Sequence, residues 1–127
     1  MDELQNKIKA IYQVSKTYPD LVHALIRLGI QSYTVDVATG ITLYRLEGGK
    51  SSLHSSELAQ RVVEAEFNKE LTVQAVKTTQ QGKSTYPEFM NEIAKAGVRF
   101  YEATLNGNQK RVTYIGSGGS YEELIPF

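Results

Sequence analysis

The alternation of apolar and polar positions predicts a chain that mixes helices and strands. Near the amino terminus, apolar residues recur at helical spacing at Leu4, Ile8 and Ile11, which predicts an amphipathic helix over residues 3–15. Residues 30–37 instead alternate apolar and polar side chains, the period of a half-buried strand. Similar patterns predict further helices over 18–28, 56–69, from Leu71 toward Gly82 and over 86–96, and further strands over 41–46, 98–105 and 110–115.

Two segments of the chain are close copies of each other. Residues 17–34 read TYPDLVHALIRLGIQSYT and residues 85–102 read TYPEFMNEIAKAGVRFYE, at a constant spacing of 68 positions (17 to 85). Self-similarity at a fixed spacing is the mark of a duplicated structural unit. The sequence therefore predicts an internal repeat, with units at about 3–48 and 71–116.

The copied segments carry helix start and stop signals. Thr17 with Asp20, and Thr85 with Glu88, fit a capping box, in which the hydroxyl and the carboxylate satisfy amides of the first turn. Gly97 follows the last helical position of the second copy, where a left-handed residue ends a helix. The boundaries of the two copied helices are therefore predicted from local chemistry.

The second copy contains a hairpin signal. Asn106-Gly107 is a dipeptide that favours a two-residue turn, because both residues then need positive φ. Such a turn would place Glu102 opposite Arg111 and Tyr101 opposite Val112. Both pairs are chemically favourable, which makes this the predicted register.

These elements together predict an α+β fold in a single domain, residues 1–127. We expect two helix–β-hairpin units, related by a pseudo-twofold axis, to form a four-stranded antiparallel sheet covered by helices. The segment between the units, residues 55–70, is expected to be a helical linker.

Composition removes several classes of function. Fourteen basic and fourteen acidic residues cancel, so no overall field would gather nucleic acid or an anionic membrane. The chain has no cysteine and two histidines, which argues against disulfides, thiolate metal sites and histidine-rich metal centres. No apolar stretch reaches membrane-spanning length, and the amino terminus does not resemble a signal peptide. We expect a cytoplasmic protein that uses no metal and no cofactor.

Two glycine-rich stretches are weak candidates for phosphate binding. Gly49-Lys50-Ser51 resembles the end of a P-loop, but Tyr44 stands where that motif needs its first glycine. Residues 116–120, GSGGS, could hold an anion on backbone amides, yet no clear helix follows them. Ordinary loops are the favoured interpretation of both.

Tyrosine and one acidic residue supply the candidate binding site. Tyrosines on predicted strands could line a groove that binds a flat or amphipathic ligand, or they could be core residues with hydroxyls at the rim. Asp36 interrupts a strand next to a turn, where it could bind a ligand or simply accept bonds from turn amides. The candidate ligand-binding residues are Tyr33, Asp36, Tyr44, Tyr101 and Tyr114.

Several motifs resemble those of a known protein family. Gly82-Lys83-Ser84 before a helix, Ala96-Gly97-Val98 at its exit, Tyr114 in the second hairpin strand and Ile125-Pro126 at the end form the shared pattern. In these features the chain resembles a family of small bacterial and prophage-borne proteins of unknown function, some of which carry the label "phage envelope protein". The resemblance implies an α+β fold and transfers no catalytic or binding residues.

Three functions remain open at this level. The first is a non-catalytic binding module for a small molecule or a peptide, at the seam between the two repeats. The second is a structural or interaction protein that forms a homodimer, or joins a host or phage factor, through unpaired strand edges. The third is an enzyme that uses Asp36 with His23 or His54.

Overall fold

The computed structural model describes residues 3–16, 18–55 and 60–125, and these contain four helices and one six-stranded antiparallel sheet. The helices are α1 (Glu3–Val14), α2 (Tyr18–Arg27), α3 (Lys69–Gln80) and α4 (Tyr86–Lys95). The strands are β1 (Ile30–Asp36), β2 (Thr42–Leu46), β3 (Ser51–His54), β4 (Val98–Thr104), β5 (Arg111–Gly116) and β6 (Gly119–Leu124). The predicted mixture of helices and an antiparallel sheet is confirmed.

The two halves of the chain meet in the middle of the sheet. The strand order is β3-β2-β1-β4-β5-β6, and every neighbouring pair is antiparallel. In the central pair Thr34 lies opposite Glu102, and the Thr34 hydroxyl donates a hydrogen bond of 3.1 Å to the Glu102 carboxylate across 68 residues of sequence. The bounds of α2 and α4, and of β1 and β4, differ by the same spacing.

The prediction of four strands is wrong, because the described sheet has an additional edge strand on each side. Glycine precedes both edge strands, with Gly48 and Gly49 before β3 and Gly118 before β6. Because glycine and serine are typical of loops, these segments were predicted to be loops rather than strands. Each edge strand is held by pairing with one neighbour, β2 or β5. That pairing is a long-range property that short segments do not reveal.

The predicted register of the second hairpin is also wrong. Tyr101 lies opposite Tyr114 and Glu102 opposite Thr113, two positions away from the prediction. The connection is longer than two residues, and Asn106 does not take the positive φ that the predicted turn requires. Arg111 therefore forms its ion pair with Glu122 on β6, at 3.0 Å.

The predicted helical linker, residues 55–70, is not helical over residues 60–68, and helix α3 begins only at Lys69. Residues 60–68 are irregular, whereas residues 56–59, which the same prediction covers, lie outside the described part. The linker amides of Arg61, Glu64 and Asn68 donate to the carbonyls of Ala38, Ala94 and Ala96, at 2.8, 3.0 and 2.7 Å. These bonds to distant carbonyls replace the bonds that a helix would make within itself.

Local signals set the ends of the helices. The Thr85 hydroxyl accepts from the Glu88 amide at 3.3 Å, and the Glu88 carboxylate accepts from the Thr85 amide at 2.8 Å, which confirms the capping box. Hydrogen bonds to the carboxylate from the Thr85 amide, and to a smaller extent from the Thr85 side chain, lower the pKa of the Glu88 carboxyl group. Thr17, the predicted cap of α2, lies outside the described residues.

One face of the sheet carries the core. Side chains from all four helices, among them Ile8, Leu25, Val76 and Ile93, join the buried face of the strands in a single apolar cluster. The strand residues of that cluster include Tyr33, Val35, Tyr44, Tyr101, Ala103, Val112 and Tyr114. The opposite face carries polar residues, including the ion pair between Arg45 and Glu102 at 3.5 Å.

Candidate functional site

The four strand tyrosines of the predicted site lie in the core. Their exposed fractions are 2% for Tyr33, 4% for Tyr44, 6% for Tyr101 and 5% for Tyr114. Tyr33 and Tyr44 are directly opposite each other on β1 and β2, with ring centroids 5.5 Å apart. Tyr101 and Tyr114 repeat this arrangement on β4 and β5 at the same 5.5 Å. These rings fill space beneath the helices, so they do not line an open groove.

The hydroxyl groups of this cluster are paired with helix tyrosines. The Tyr44 hydroxyl donates to the Tyr12 hydroxyl on α1 at 3.1 Å. The Tyr101 and Tyr86 hydroxyls are 3.2 Å apart, with Tyr86 at the start of α4. The tyrosines therefore satisfy their polar atoms within the protein, as buried tyrosines usually do.

Burial raises the pKa of two of these phenols. It raises the pKa of Tyr44 to about 12, although the hydrogen bond with Tyr12 acts in the opposite direction. Burial also raises the pKa of Tyr86, while the hydrogen bond with Tyr101 and the nearby Arg61 cation oppose that shift. A general acid or base at neutral pH needs a pKa near 7, so Tyr44 and Tyr86 are poorly suited to proton transfer.

Asp36, the fifth predicted residue, is at the end of β1. One carboxylate oxygen, Oδ2, accepts from the Thr39 amide at 3.0 Å and from the Thr39 hydroxyl at 2.6 Å. This is the local turn contact that an aspartate near a turn commonly makes. Among the described residues, no hydrogen bond or ion pair joins Asp36 to His23 or His54, and His54 Nε2 instead lies 2.9 Å from the Ser52 hydroxyl.

Asp36 also lines a solvent-open cavity of about 400 Å³ at the end of the sheet, where the lining residues Glu64, Arg99 and Ser117 are exposed. Residues from both halves of the chain and from the linker form its wall, namely Asp36, Ala38, Val63, Glu64, Ala65, Arg99 and Ser117. Its volume is in the range of small-molecule sites in proteins. The cavity brings Asp36 together with Ser117, from the glycine-rich stretch 116–120, and with residues such as Glu64 and Arg99 that the sequence did not single out.

Backbone hydrogen bonds frame this cavity. The Val37 amide donates to the Arg99 carbonyl at 3.0 Å, which joins the end of β1 to the start of β4. The linker crosses the same end of the sheet, and the Phe67 amide donates to the Ser117 carbonyl at 3.2 Å. The Phe67 ring packs over Gly116 and Gly119, where a side chain would collide with it. The wall is therefore held by main-chain contacts rather than by flexible side chains.

The charged groups of the cavity are not paired with one another. In the described part of the chain, the ion pairs are Lys7 with Glu3, Arg45 with Glu102, and Arg111 with Glu122. The Asp36, Glu64 and Arg99 side chains belong to none of these pairs. They can therefore offer charge to a ligand without first breaking an internal ion pair.

Sequence reasoning missed Glu64 and Arg99, and it considered Ser117 only as part of the glycine-rich stretch 116–120, for which an ordinary loop was favoured. Glu64 and Arg99 are far apart in the chain, and neither belongs to a recognisable binding motif. A weak signal exists at position 99, where arginine replaces Gln31 of the first copy at the same 68-residue spacing. The linker lies outside both predicted repeat units, so nothing in the sequence placed it at this end of the sheet.

The described residues contain neither a cluster of metal-ligating side chains nor a long apolar helix. They contain no group of three histidine, aspartate or glutamate side chains that could hold a metal ion. Within the same residues, no helix is long and apolar enough to cross a membrane.

A comparison with protein families gives one match that covers most of the chain. Residues 6–121 match the model of a family described as protein of unknown function, DUF1398. The chain belongs to this family. A family of unknown function was predicted from the motifs, and that part of the prediction is confirmed. The association with prophages and the label "phage envelope protein" stay predictions. A comparison with curated proteins gives no match.

Proposed function

We propose that this DUF1398 member is a non-catalytic binding module whose ligand occupies the cavity at the seam between its two halves. The observation that carries the proposal is the cavity itself, a space of about 400 Å³ lined by charged side chains of both signs that form no ion pair within the described part of the chain. Ligand sites typically combine such a concave wall with a few convergent polar groups. In this proposal the ligand lies beside Asp36 and away from the four buried tyrosines.

The proposal includes a duplicated architecture. The units would be helix–helix–strand–strand–strand, α1 to β3 and α3 to β6, related by a pseudo-twofold axis at the pair Thr34 and Glu102. The matched 68-residue spacing of this pair and of the central elements supports the duplication. The linker would break this symmetry, because it crosses one end of the central strands and forms part of the cavity wall there.

A fragment screen by ¹⁵N–¹H correlation NMR tests the function. We expect some small polar fragments to shift the amide signals of Ala38, Glu64 and Ser117, and we expect Arg99→Ala to weaken those fragments at least several-fold. Gln31→Ala is the matched control, because Gln31 holds the same place in β1 that Arg99 holds in β4 and does not line the cavity. Binding of no fragment at these amides would contradict the proposal. The homodimer and the enzyme that pairs Asp36 with a histidine stay predictions.

A further inference from the structure

Arg99 has an unusual place in the sheet. The β4–β5 pairing shifts register between Val98 and Phe100, so Arg99 is the extra residue of a β-bulge. A bulge redirects a side chain away from the regular alternation of the strand. Here the redirected side chain is a guanidinium that lines the cavity, while its backbone carbonyl is fixed by the Val37 amide at 3.0 Å.

Gln31 shows that the bulge alone does not make a site. The pairing of β1 with β2 shifts register between Ile30 and Ser32, which makes Gln31 the corresponding extra residue of the first half. At that end of the sheet the Gln31 carbonyl accepts from the amides of Leu105 and Asn106, at 2.8 and 3.2 Å. The Arg99 bulge differs from the Gln31 bulge because it has a cationic side chain and because the linker passes over its end of the sheet.

Asp36 supplies the opposite charge from a fixed position. Its amide donates to the Ile41 carbonyl at 2.9 Å, and its carbonyl accepts from the Gly40 amide at 2.8 Å. Thr39 occupies Oδ2, so among the described residues the second carboxylate oxygen, Oδ1, keeps its capacity to accept. Glu64 adds a second carboxylate to the same wall. Its backbone is fixed there because the Glu64 amide donates a hydrogen bond to the Ala94 carbonyl.

Resting on the proposed function, we propose that the cavity binds a small zwitterion, a molecule with one ammonium and one carboxylate group such as a free α-amino acid. Arg99 would bind the carboxylate through its fork of N–H donors, and Asp36 and Glu64 would accept from the ammonium. A dianionic ligand would be attracted by the Arg99 guanidinium but repelled by the carboxylates of Asp36 and Glu64. A purely cationic ligand would provide no acceptor for the N–H donors of Arg99. A zwitterion satisfies both sides of the cavity.

The first experiment uses the free L-amino acids as probes, at millimolar concentration, with the full chain in NMR titrations. The best-bound amino acid is then compared with its decarboxylated amine and its deaminated acid, for example L-leucine with 3-methylbutan-1-amine and 4-methylpentanoate. We expect the zwitterion to bind at least about tenfold more tightly than either analogue, since each analogue lacks one charge-assisted contact.

Variants assign the two ends of the ligand. Arg99→Ala is expected to remove the preference for the amino acid over its decarboxylated amine, because the contact to the carboxylate is lost. Asp36→Asn is expected to remove the preference for the amino acid over its deaminated acid, because the contact to the ammonium is weakened. Asp36→Asn keeps an acceptor for Thr39, and Glu64→Gln, at an exposed position, provides a second test if Asp36→Asn disturbs the fold. Gln31→Ala should leave all affinities unchanged.

Failure of this inference is distinguishable from failure of the proposed function. If fragments of another class shift the cavity amides and no amino acid does, the zwitterion proposal is wrong and the binding module stands. Equal affinity of an amino acid and both analogues, or unchanged preferences in Arg99→Ala, would also overturn the zwitterion proposal. If no compound shifts these amides, both proposals fail.

Discussion

Tyr44 shows how one residue type can support two interpretations until its surroundings are known. A strand tyrosine offers apolar area with one polar group, which suits a binding groove as well as a core. Its ring is buried next to Tyr33 and lies 4.8 Å from the His54 ring, while its hydroxyl reaches Tyr12. The sequence determined that tyrosines would alternate with polar residues on the strands. Only packing decided that the face they share is covered by helices.

The raised pKa of Tyr44 predicts a loss of stability in alkali. The folded-state pKa of about 12 exceeds the ordinary value of 10.0, so the folded protein retains a proton that the unfolded chain releases. Stability from this group is complete below pH about 10 and is lost as pH rises toward about 12. The shift corresponds to about 3 kcal/mol. We expect urea denaturation at stepped pH to show that Tyr44→Phe loses less stability across this window than the unmodified protein.

The comparison with Tyr44→Phe also controls for the other groups that lose protons in alkali, because both proteins contain the same lysines and the same remaining tyrosines. If the two proteins lose equal stability between pH 10 and 12, Tyr44 does not have the raised pKa. Absorbance of phenolate near 295 nm should also show one fewer late-titrating tyrosine in the variant.

Among the secondary-structure elements, features fixed by local contacts were predicted from the sequence, whereas features fixed by distant contacts were not. The start of α4 was predictable because the Thr85 and Glu88 contacts lie within four residues of each other. The edge strands and the linker were not, because their hydrogen-bond partners are remote in sequence. The glycine that ends each copied helix has both a local and a distant aspect. Its positive φ was predicted from the sequence, but the packing of the linker on Gly97 was not.

Gly29 and Gly97 form a matched pair for a prediction about the linker. Both have positive φ, 93° and 79°, so alanine at either site brings backbone strain of about 1–2 kcal/mol. A Cβ at Gly29 would meet nothing closer than 3.9 Å, whereas a Cβ at Gly97 would collide with the Glu66 carbonyl and approach the Phe67 Cα to 2.9 Å. We expect Gly97→Ala to lower the free energy of unfolding by clearly more than Gly29→Ala does.

Chemical denaturation followed by circular dichroism measures both variants. NMR should also show Gly97→Ala moving the amide signals of Phe67 and Ser117, because the linker must shift away from α4 and β4. Equal destabilisation by the two substitutions would mean that the linker does not pack tightly on Gly97.

For the whole molecule, the central pair β1 and β4 joins the halves into one sheet and one core. The pair is asymmetric at its centre, where Thr34 faces Glu102 and donates to it, and where Arg45 adds an ion pair. Two glutamates at these positions would repel each other directly across the strands. The two halves are therefore similar in architecture but chemically fitted to each other.

This shared core predicts that the protein unfolds in a single cooperative step. Val35 in the first half and Val112 in the second are both buried in the same cluster, at 2% and 5% exposure. We expect Val35→Ala and Val112→Ala each to lower one common urea midpoint, at a cost of about 2 kcal/mol, because each deletes buried methyl groups. Circular dichroism and tyrosine fluorescence should give the same midpoint in each variant. Two separated transitions, with only one moved by each substitution, would contradict this.

The sequence by itself determined the features that depend on neighbouring residues: the capped start of α4, the glycine exits, the alternation in β1 and β4 and the doubled pattern of the chain. The tertiary structure decided the edge strands, the register of the second hairpin, the burial of the tyrosines and the path of the linker. It also brought Asp36, Glu64 and Arg99 to one cavity. The physical reason is that caps and turns satisfy backbone groups within a few residues, whereas strand pairing and burial depend on partners that only the folded chain brings close.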